Sequence, residues 1–562
     1  MALRDLTSRL PLGSVAERLS VGPLGRVTDV PFNVRTLAEA GVIRPIRPDK
    51  LARIARELRR WGPSPAAGIA ASAINHPEAI GVEDETGEYT FLQLHRRSNA
   101  LARGLRDAGI GEGDGVAIMA RNHHGFIEAT LACSKLGANA LYMNTSFAGP
   151  QFAAVIEREE PAALIYDEEF ADLLSEARDK DVTCFIAWSE GEGEQGDGRA
   201  GDTTLEQLIE ANDDSELDSG PEESSRFIIL TSGTTGTPKG AQRSQPDNLS
   251  PIAVLFSMIP MRAEQRTMIA APLFHSWGFS HFMIGLSLGS TYVLRRRFDP
   301  EETLRATAKS GATTLVVVPV MLQRILDLDE ATLDEYELPS LRVTAASGSV
   351  LPGPLATKWM DAFGDNLYNL YGSTEVAWAT IGTPEDLREA PGTAGRPPRG
   401  TRLRIVDPDG NDVETGKTGR IFVANDMLFE GYTGGGGKEE LDGLLSTGDV
   451  GHLDDDGRLF VDGRDDDMIV SGGENVFPRE VEDLLANHDA VAEVAVIGVD
   501  DDQYGQRLKA FIVTRDGSDL DVDAVKSHVK SNLANYKVPR DVEFLDSLPR
   551  NATGKVLKRE LA

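Results

Sequence analysis

The sequence predicts an α/β protein: a large N-terminal domain of layered α/β subdomains with a small β-rich subdomain, then a small C-terminal α+β domain. Three observations lead there. The chain has 562 residues, more than one hydrophobic core organises, so at least two domains are required. From Glu88 onward, helix-period segments alternate with short apolar runs, the pattern of stacked βα units. Between Gly395 and Gly463 the texture changes to short strands separated by Gly- and Asp-rich turns, and a further segment of domain size follows Asp466. The expected division is an N-terminal extension over residues 1–61, a main domain over 62–464 and a C-terminal domain over 465–562.

In the extension, Leu51, Ile54, Leu58 and Trp61 recur at helical spacing while Arg53, Arg56, Arg59 and Arg60 fill other faces. This apolar stripe is expected to pack on the body of the protein. The alternative is peripheral contact with an anionic membrane surface. Helix is expected over Phe91–Gly109, with Leu92, Leu94, Leu101 and Leu105 as core positions, and over Gly125–Gly137. Strands are expected at Gly115–Met119, Ala163–Tyr166 and Phe227–Leu230. The Gly-, Asp-, Glu- and Ser-rich stretch from Glu190 to Ser225 reads as including an exposed loop. Thr314–Pro319 and Leu341–Ala345 are strand candidates; Leu403–Val406 and Arg420–Val423 belong to the β-rich part. In the last domain, helices at Pro478–Asn487 and Val522–Leu533 flank a strand at Val491–Val499.

Composition excludes some functions. Acidic residues number 89 against 57 basic, a formal net charge of −32, which argues against a nucleic-acid-binding face. Anionic ligands must be gathered by local positive groups. Cys133 and Cys184 have no metal-ligand spacing and read as structural thiols. Residues 1–13 lack an apolar core of signal-peptide length, and no apolar run approaches the ~20 residues of a spanning helix, so a cytoplasmic location is expected.

The most informative segment is Thr231-Ser232-Gly233-Thr234-Thr235-Gly236-Thr237-Pro238-Lys239-Gly240, directly after the apolar run Phe227–Leu230. Gly and Thr leave backbone N–H groups and hydroxyls free to converge on phosphate oxygens, and Lys239 adds a mobile cation. It is not a Walker loop; the nearest such ending, Gly416-Lys417-Thr418, has Asn411 where the first Gly belongs. Four further segments accompany it: Leu367 to Glu375 (LYNLYGSTE), Ser446-Thr447-Gly448-Asp449, Gly463 to Ile469 leading to Gly472-Gly473-Glu474-Asn475, and Pro549 to Lys555. Taken singly, Glu375 or Asp449 would be a surface carboxylate or cap, Lys555 a surface lysine, His275 a packed histidine and Gly473 a turn residue.

Together with Ala271-Pro272-Leu273-Phe274-His275, and in this order from about Glu88 to the C-terminus, these segments resemble the adenylate-forming superfamily of acyl-CoA synthetases, peptide-synthetase adenylation domains and firefly-type luciferases. The resemblance implies the following roles. Thr231, Ser232, Gly233, Thr234, Thr235, Gly236 and Lys239 would cradle the phosphates of ATP. Tyr371 would stack on adenine, with Asn369 and Gly372 beside it. Thr374 would contact the α-phosphate, Glu375 would hold Mg²⁺, Asp449 would accept the ribose hydroxyls and Arg464 would lie near the ribose. Asp466 would be the hinge of a mobile C-terminal domain, Gly473 would line the pantetheine tunnel of coenzyme A, and Lys555 would reach the reacting carboxylate. His275, Ser276, Trp277, Gly278, Ser347, Gly348 and Ala377 would border the acyl pocket. Two departures from the family pattern, Leu370 in place of a frequent Gly and Pro352 one residue late, touch the expected adenine and acyl walls.

The implied reaction joins a carboxylic acid to coenzyme A through an acyl-adenylate, releasing pyrophosphate and then AMP. The extension and the stretch Leu367 to Glu375 look most like bacterial fatty-acid CoA ligases, so a medium- or long-chain fatty acid is the expected substrate. An aromatic acid is the alternative. A carrier-protein acceptor is disfavoured because no carrier domain follows Lys555. Luciferase-like oxidation is a less favoured use of the same fold, and a catalytically silent acyl- or nucleotide-binding protein is the remaining alternative. Monomer and homodimer stay equally open. If Lys555 neutralises the approach of carboxylate to α-phosphate, Lys555→Ala lowers the adenylation rate about 10²–10³-fold, by analogy with loss of one oxyanion donor. Thioester formation from supplied acyl-AMP is spared; single-turnover assays of each half-reaction check this.

Overall fold

The computed structural model describes residues 23–174, 182–189, 201–231, 239–242, 250–429, 431–432, 436–465, 467, 469–471, 474–501, 505–515, 517–551 and 554–561. Among the described residues the strands form four sheets. One eight-stranded sheet runs in the order Thr380–Gly382, Leu367–Tyr371, Val343–Ala346, Thr314–Val317, Arg266–Ile269, Thr291–Leu294, Ile80–Asp84, Gly87–Thr90. Its pairings are parallel except at the two edge hairpins. A second eight-stranded sheet runs Gly431–Tyr432, Lys239–Gln242, Phe227–Thr231, Asn139–Tyr142, Gly115–Met119, Ala163–Asp167, Thr183–Trp188, Thr203–Thr204. The apolar runs that predicted strands are its central members, buried on both faces as parallel strands between helices must be.

Helices fill the space between these sheets. His124–Leu136 is buried along its whole length, and Gly137 ends it in the left-handed conformation. Phe91–Asp107 begins at a capping box made by Thr90 and Gln93; it buries Leu94, Leu101 and Leu105, while Leu92 stays half-buried. A five-stranded antiparallel sheet forms the β-rich part, with Leu444–Leu453 paired to both Gly419–Ala424 and Leu459–Arg464. The C-terminal α+β unit pairs Val491–Asp501 with Gly505–Thr514 and packs Pro478–Ala486 and Val522–Asn532 around its own core of Val481, Leu485, Val525 and Val529.

Several expectations are corrected. The extension holds two helices, Pro23–Glu39 and Pro48–Trp61. In the second, the stripe divides: Trp61 is buried and Ile54 half-buried, but Leu51 and Leu58 remain 54% and 49% exposed. The reason is angular: the four residues fall within about 80° of the helix circumference, and the face turned to the body, marked by buried Glu57 and Trp61, lies to one side of that stripe. Beyond the loop expected around Gly191-Glu192-Gly193, which lies outside the described residues, the stretch Glu190–Ser225 carries a short strand, Thr203–Thr204, and a helix, Leu205–Ala211, again started by a capping box (Thr204 and Gln207). Cys133 is buried but Cys184 only half-buried, and the two form no disulfide. Among the described residues no helix is long and apolar enough to cross a membrane.

The segment Arg121–His124, after the strand Gly115–Met119, links the two large sheets. The Asn122 amide donates to the carbonyls of Ile269 (3.1 Å) and Ala271 (2.9 Å) and accepts from Leu273 N–H (2.8 Å). His123 pairs with Asp167 at 2.8 Å and His124 with Asp84 at 2.7 Å, both pairs buried. Burial alone would raise the Asp84 carboxyl, yet the hydrogen bond and charge of His124, with help from Thr86, hold it well below the usual carboxylate range. A carboxylate with a depressed pKa stabilises the fold above its unfolded-state value, and that contribution is lost as pH falls through the folded value. Asp84→Ala leaves His124 without its anion and destabilises the N-terminal domain by about 3 kcal/mol at neutral pH. The gap between variant and parent narrows as pH falls below about 4, measured as denaturant midpoints across the acidic range.

Candidate active site

Four parallel strands of the first sheet deliver their carboxyl ends to one edge, where open α/β sheets bind ligands. After Arg266–Ile269 the chain reaches Pro272 and His275; after Thr314–Val317 come Val318 and Pro319; after Val343–Ala346 come Ser347 and Gly348; Leu367–Tyr371 ends at Tyr371 and Gly372. The contacts between these ends are close. Trp277 donates its indole N–H to the Val317 carbonyl at 3.0 Å. Gly348, at φ +92°, leaves the Val318 side chain 3.4 Å from where a Cβ would sit. A Cβ on Gly278 would collide with the Pro272 carbonyl, and one on Gly372 with the Ala377 carbonyl. Ala377 itself holds φ +60°, a strained conformation for a residue with a Cβ.

Alternation along Leu367–Tyr371 explains the family departure at residue 370. Asn369 and Tyr371 share one face of the strand, whereas Leu370 points the other way into a cluster with Phe256, Val343 and Ile381. Leu370 is therefore core, not a wall of the adenine pocket.

Tyr371 donates its hydroxyl to Asp449 Oδ2 at 2.6 Å, linking the first sheet to the β-rich one. Arg464, paired with Asp449 across Leu444–Leu453 and Leu459–Arg464, places Nε 3.5 Å from Asp449 Oδ1. Burial pushes the Asp449 carboxyl up, and the Tyr371 hydrogen bond with the charges of Arg464, Lys555 and Lys438 only partly offsets it. Burial and the neighbouring Asp449 charge push the Tyr371 phenol well above its ordinary value, so it stays a donor.

Glu375 is buried and accepts from Tyr432 Oη at 2.6 Å. Burial would raise its pKa, but the hydrogen bonds from Tyr432 and Ser373 and the charge of Lys438 outweigh it and keep it anionic. Tyr432 lies on Gly431–Tyr432, which pairs with Lys239–Gln242. That strand in turn pairs with Phe227–Thr231, Thr231 opposite Lys239. Thus the Gly/Thr-rich segment links two antiparallel strands, and the sheet carries its Lys239 end towards Glu375. Ser232, Gly233, Thr234, Thr235 and Gly236 lie outside the described residues, as do Asp466 and Gly473; the side chains of Thr231 and Lys239 do too.

His275 stands at the N-cap position of the helix Ser276–Leu288 without a side-chain cap bond, and its buried Nε2 meets no hydrogen-bond partner among the described residues. Burial lowers it to about 4, so it is neutral at physiological pH. Lys555 is exposed on a tight loop in which Asn551 Oδ1 accepts its N–H at 2.9 Å and Gly554 holds φ +77°. A Cβ on Gly554 would meet the Val320 side chain. The C-terminal domain therefore sits with this loop against the same strand ends as Gly348. The described Asp, Glu, His and Cys residues form no cluster of three suited to a metal ion. Glu375 is a single carboxylate with one oxygen engaged by Tyr432, and such a group would suit a hard cation completed by substrate phosphates and water.

The AMP-binding enzyme family matches residues 69–433, and the AMP-binding enzyme C-terminal domain matches residues 480–555. The chain belongs to the AMP-binding enzyme family. Indoleacetate–CoA ligase of Aromatoleum aromaticum is 33% identical over 84% of this chain and 92% of its own. Feruloyl-CoA synthase of an Amycolatopsis species is 32% identical over 86% and 96%. Among solved structures, the o-succinylbenzoate CoA synthetase of Bacillus subtilis, in complex with an acyl-adenylate intermediate, superimposes with a TM-score of 0.76 at 28% identity, covering 88% of this chain and 97% of that one. This AMP-binding enzyme is an acid–thiol ligase of the AMP-forming kind, with the fold of the adenylate-forming superfamily.

Within that fold, Tyr371, Asp449 and Arg464 come together, as do Glu375 with Tyr432 and Lys555 with the Val318–Val320 edge. Sequence reasoning missed Tyr432 and Lys438. Tyr432 sits 57 positions from its partner, a separation that no local spacing rule detects. Tyr371→Phe removes the hydrogen bond that helps Asp449 ionise. AMP affinity then weakens, and its loss on acidification begins at higher pH than in the parent, as calorimetric titration over the acidic to neutral range checks.

Proposed function

We propose that this enzyme activates an aromatic carboxylic acid with MgATP and transfers the acyl group to coenzyme A. Two relatives named for indoleacetate and ferulate carry the choice of acid, and the fixed rings of Trp277, one of the expected acyl-pocket residues, and of Trp378 beside Ala377 support it. Trp277 is held by Val317 and has His281 edge-on at 4.3 Å; Trp378, next to the strained Ala377, is held by Thr401 at 3.2 Å. Fixed rings favour a flat ring packed against them over a flexible chain that must lose rotamer freedom. This reading replaces the fatty acid expected from the extension, whose exposed Leu51 and Leu58 say nothing about the pocket.

In the first step the substrate carboxylate oxygen bonds to the α-phosphorus of ATP, and the bond to the bridging oxygen of pyrophosphate breaks. In the second the thiol sulfur bonds to the acyl carbon, the carbon–oxygen bond to AMP breaks and the thiol proton passes to solvent. Both steps bring anions or electron pairs together, so positioned cations and donors dominate. Tyr371 and Asn369 would hold adenine, Asp449 with Arg464 the ribose, Thr374 the α-phosphate and Lys555 the approaching carboxylate. Neutral His275, with its buried Nε2, would hydrogen-bond the acyl end of the substrate. Glu375 would hold Mg²⁺, which when bound neutralises phosphate charge.

Pyrophosphate release from MgATP tests the reading, with aromatic acids and fatty acids of increasing length, each with and without coenzyme A. Aromatic acids drive multiple turnovers in the presence of coenzyme A, and acyl-CoA is identified by mass. Turnover confined to fatty acids overturns the choice of acid, and turnover that stays single with coenzyme A overturns the choice of acceptor.

A further inference from the structure

Lys438 is a cation at the site that neither the family resemblance nor the sequence motifs assign. It follows the glycine run Gly434–Gly437 and is half-buried. Its position is held from both sides. The Glu439 carbonyl accepts Ser446 N–H at 2.8 Å, the Glu439 carboxylate takes Arg420 Nη1 at 3.1 Å, and Glu440 opens a strand paired with Leu445. This hairpin lays Lys438 beside Gly448, the residue before Asp449. Its Nζ lies 3.5 Å from where a Gly448 Cβ would sit, and Arg464 Nη2 lies 3.3 Å from the same point. Gly448 holds φ +81°, so the turn and the space for two cations depend on the same absent side chain.

The local anions are already engaged. Asp449 has Tyr371 and Arg464, and Glu375 has Tyr432. Lys438 makes no hydrogen bond or ion pair among the described residues. Even so, its charge reaches both carboxylates, lowering Glu375 and opposing the rise of Asp449. A half-buried ammonium beside Gly448, with three donors and no partner among the described residues, is suited to one ligand class.

We propose that Lys438 binds the phosphate chain of the nucleotide, as a cation supplied by the main domain in addition to Lys555 of the C-terminal domain. The assignment rests on the nucleotide half of the proposed function and is independent of the identity of the acid. Calorimetric titration of the full-length parent, K438A, K438Q and K438R with AMP, with MgATP and with adenosine tests it. K438A and K438Q weaken AMP and MgATP about tenfold, the scale of one charge-assisted hydrogen bond, while K438R keeps most of the affinity and adenosine binds all four alike. Weakening of MgATP alone also supports the inference and places Lys438 on the β- or γ-phosphate. Unchanged AMP and MgATP affinity in both neutral variants, or an equal loss for adenosine, overturns it. A parent that binds no nucleotide defeats the proposed function itself, whereas a parent that binds AMP beside an unaffected K438A defeats only this inference.

Discussion

A carboxylate taken out of water must be compensated, and the site is organised around that requirement at Asp449. Burial raises the pKa of this group, and its partners come from separate parts of the chain: Tyr371 from the first sheet, Arg464 and Lys438 from the β-rich unit, Lys555 from the C-terminal domain. Each partner favours the anion, so the electrostatics of one side chain ties three structural units to a common geometry. Glu375 repeats the arrangement with a different balance: Tyr432, Ser373 and Lys438 more than offset burial, and the group stays ionised. Two anionic acceptors with contrasting environments, surrounded by cations, form a polar bed for a polyanionic nucleotide within a chain of net charge −32.

The scaffold makes this convergence possible. Parallel strands deliver their carboxyl ends to one edge, and the loop Arg121–His124 locks the second sheet to the segment that leads to His275. Asn122 uses both amide hydrogens and its carbonyl on backbone groups of that segment, while Asp167 and Asp84 anchor the residues after it. Close backbone approaches at Gly278 and Gly372, with the Val318 side chain against Gly348, then bring the loops to within contact of each other, and Ala377 carries the strain of one of them.

Much of the fold was legible because its strands are short apolar runs and its helices start at local caps. Gly115–Met119 and Ala163–Asp167 stand where their hydrophobicity predicts, and Phe91–Asp107 starts at the expected Phe91 and ends two residues before the expected Gly109. Failures occurred where a residue's meaning depended on what lay opposite. Leu370 looked like a changed pocket wall, but strand alternation turns it into the core. Leu51 and Leu58 looked like packing residues, but the body does not reach them. The motif residues Tyr371, Asp449, Arg464 and Lys555 were found by their order in the chain; Tyr432 and Lys438 belong to no motif and were not.

By itself the sequence determined the α/β layering, the division into a large and a small unit, the adenylate-forming resemblance and the side chains able to handle a phosphate. These depend on local periodicity, turn chemistry and residue type, all encoded within short windows. Tertiary structure alone decided that Tyr371 serves Asp449, that Tyr432 serves Glu375, that the Lys555 loop rests on Val320, and that Lys438 stands beside Gly448. Those pairings join residues remote in sequence, and burial and charge compensation act only after the sheets have brought them together.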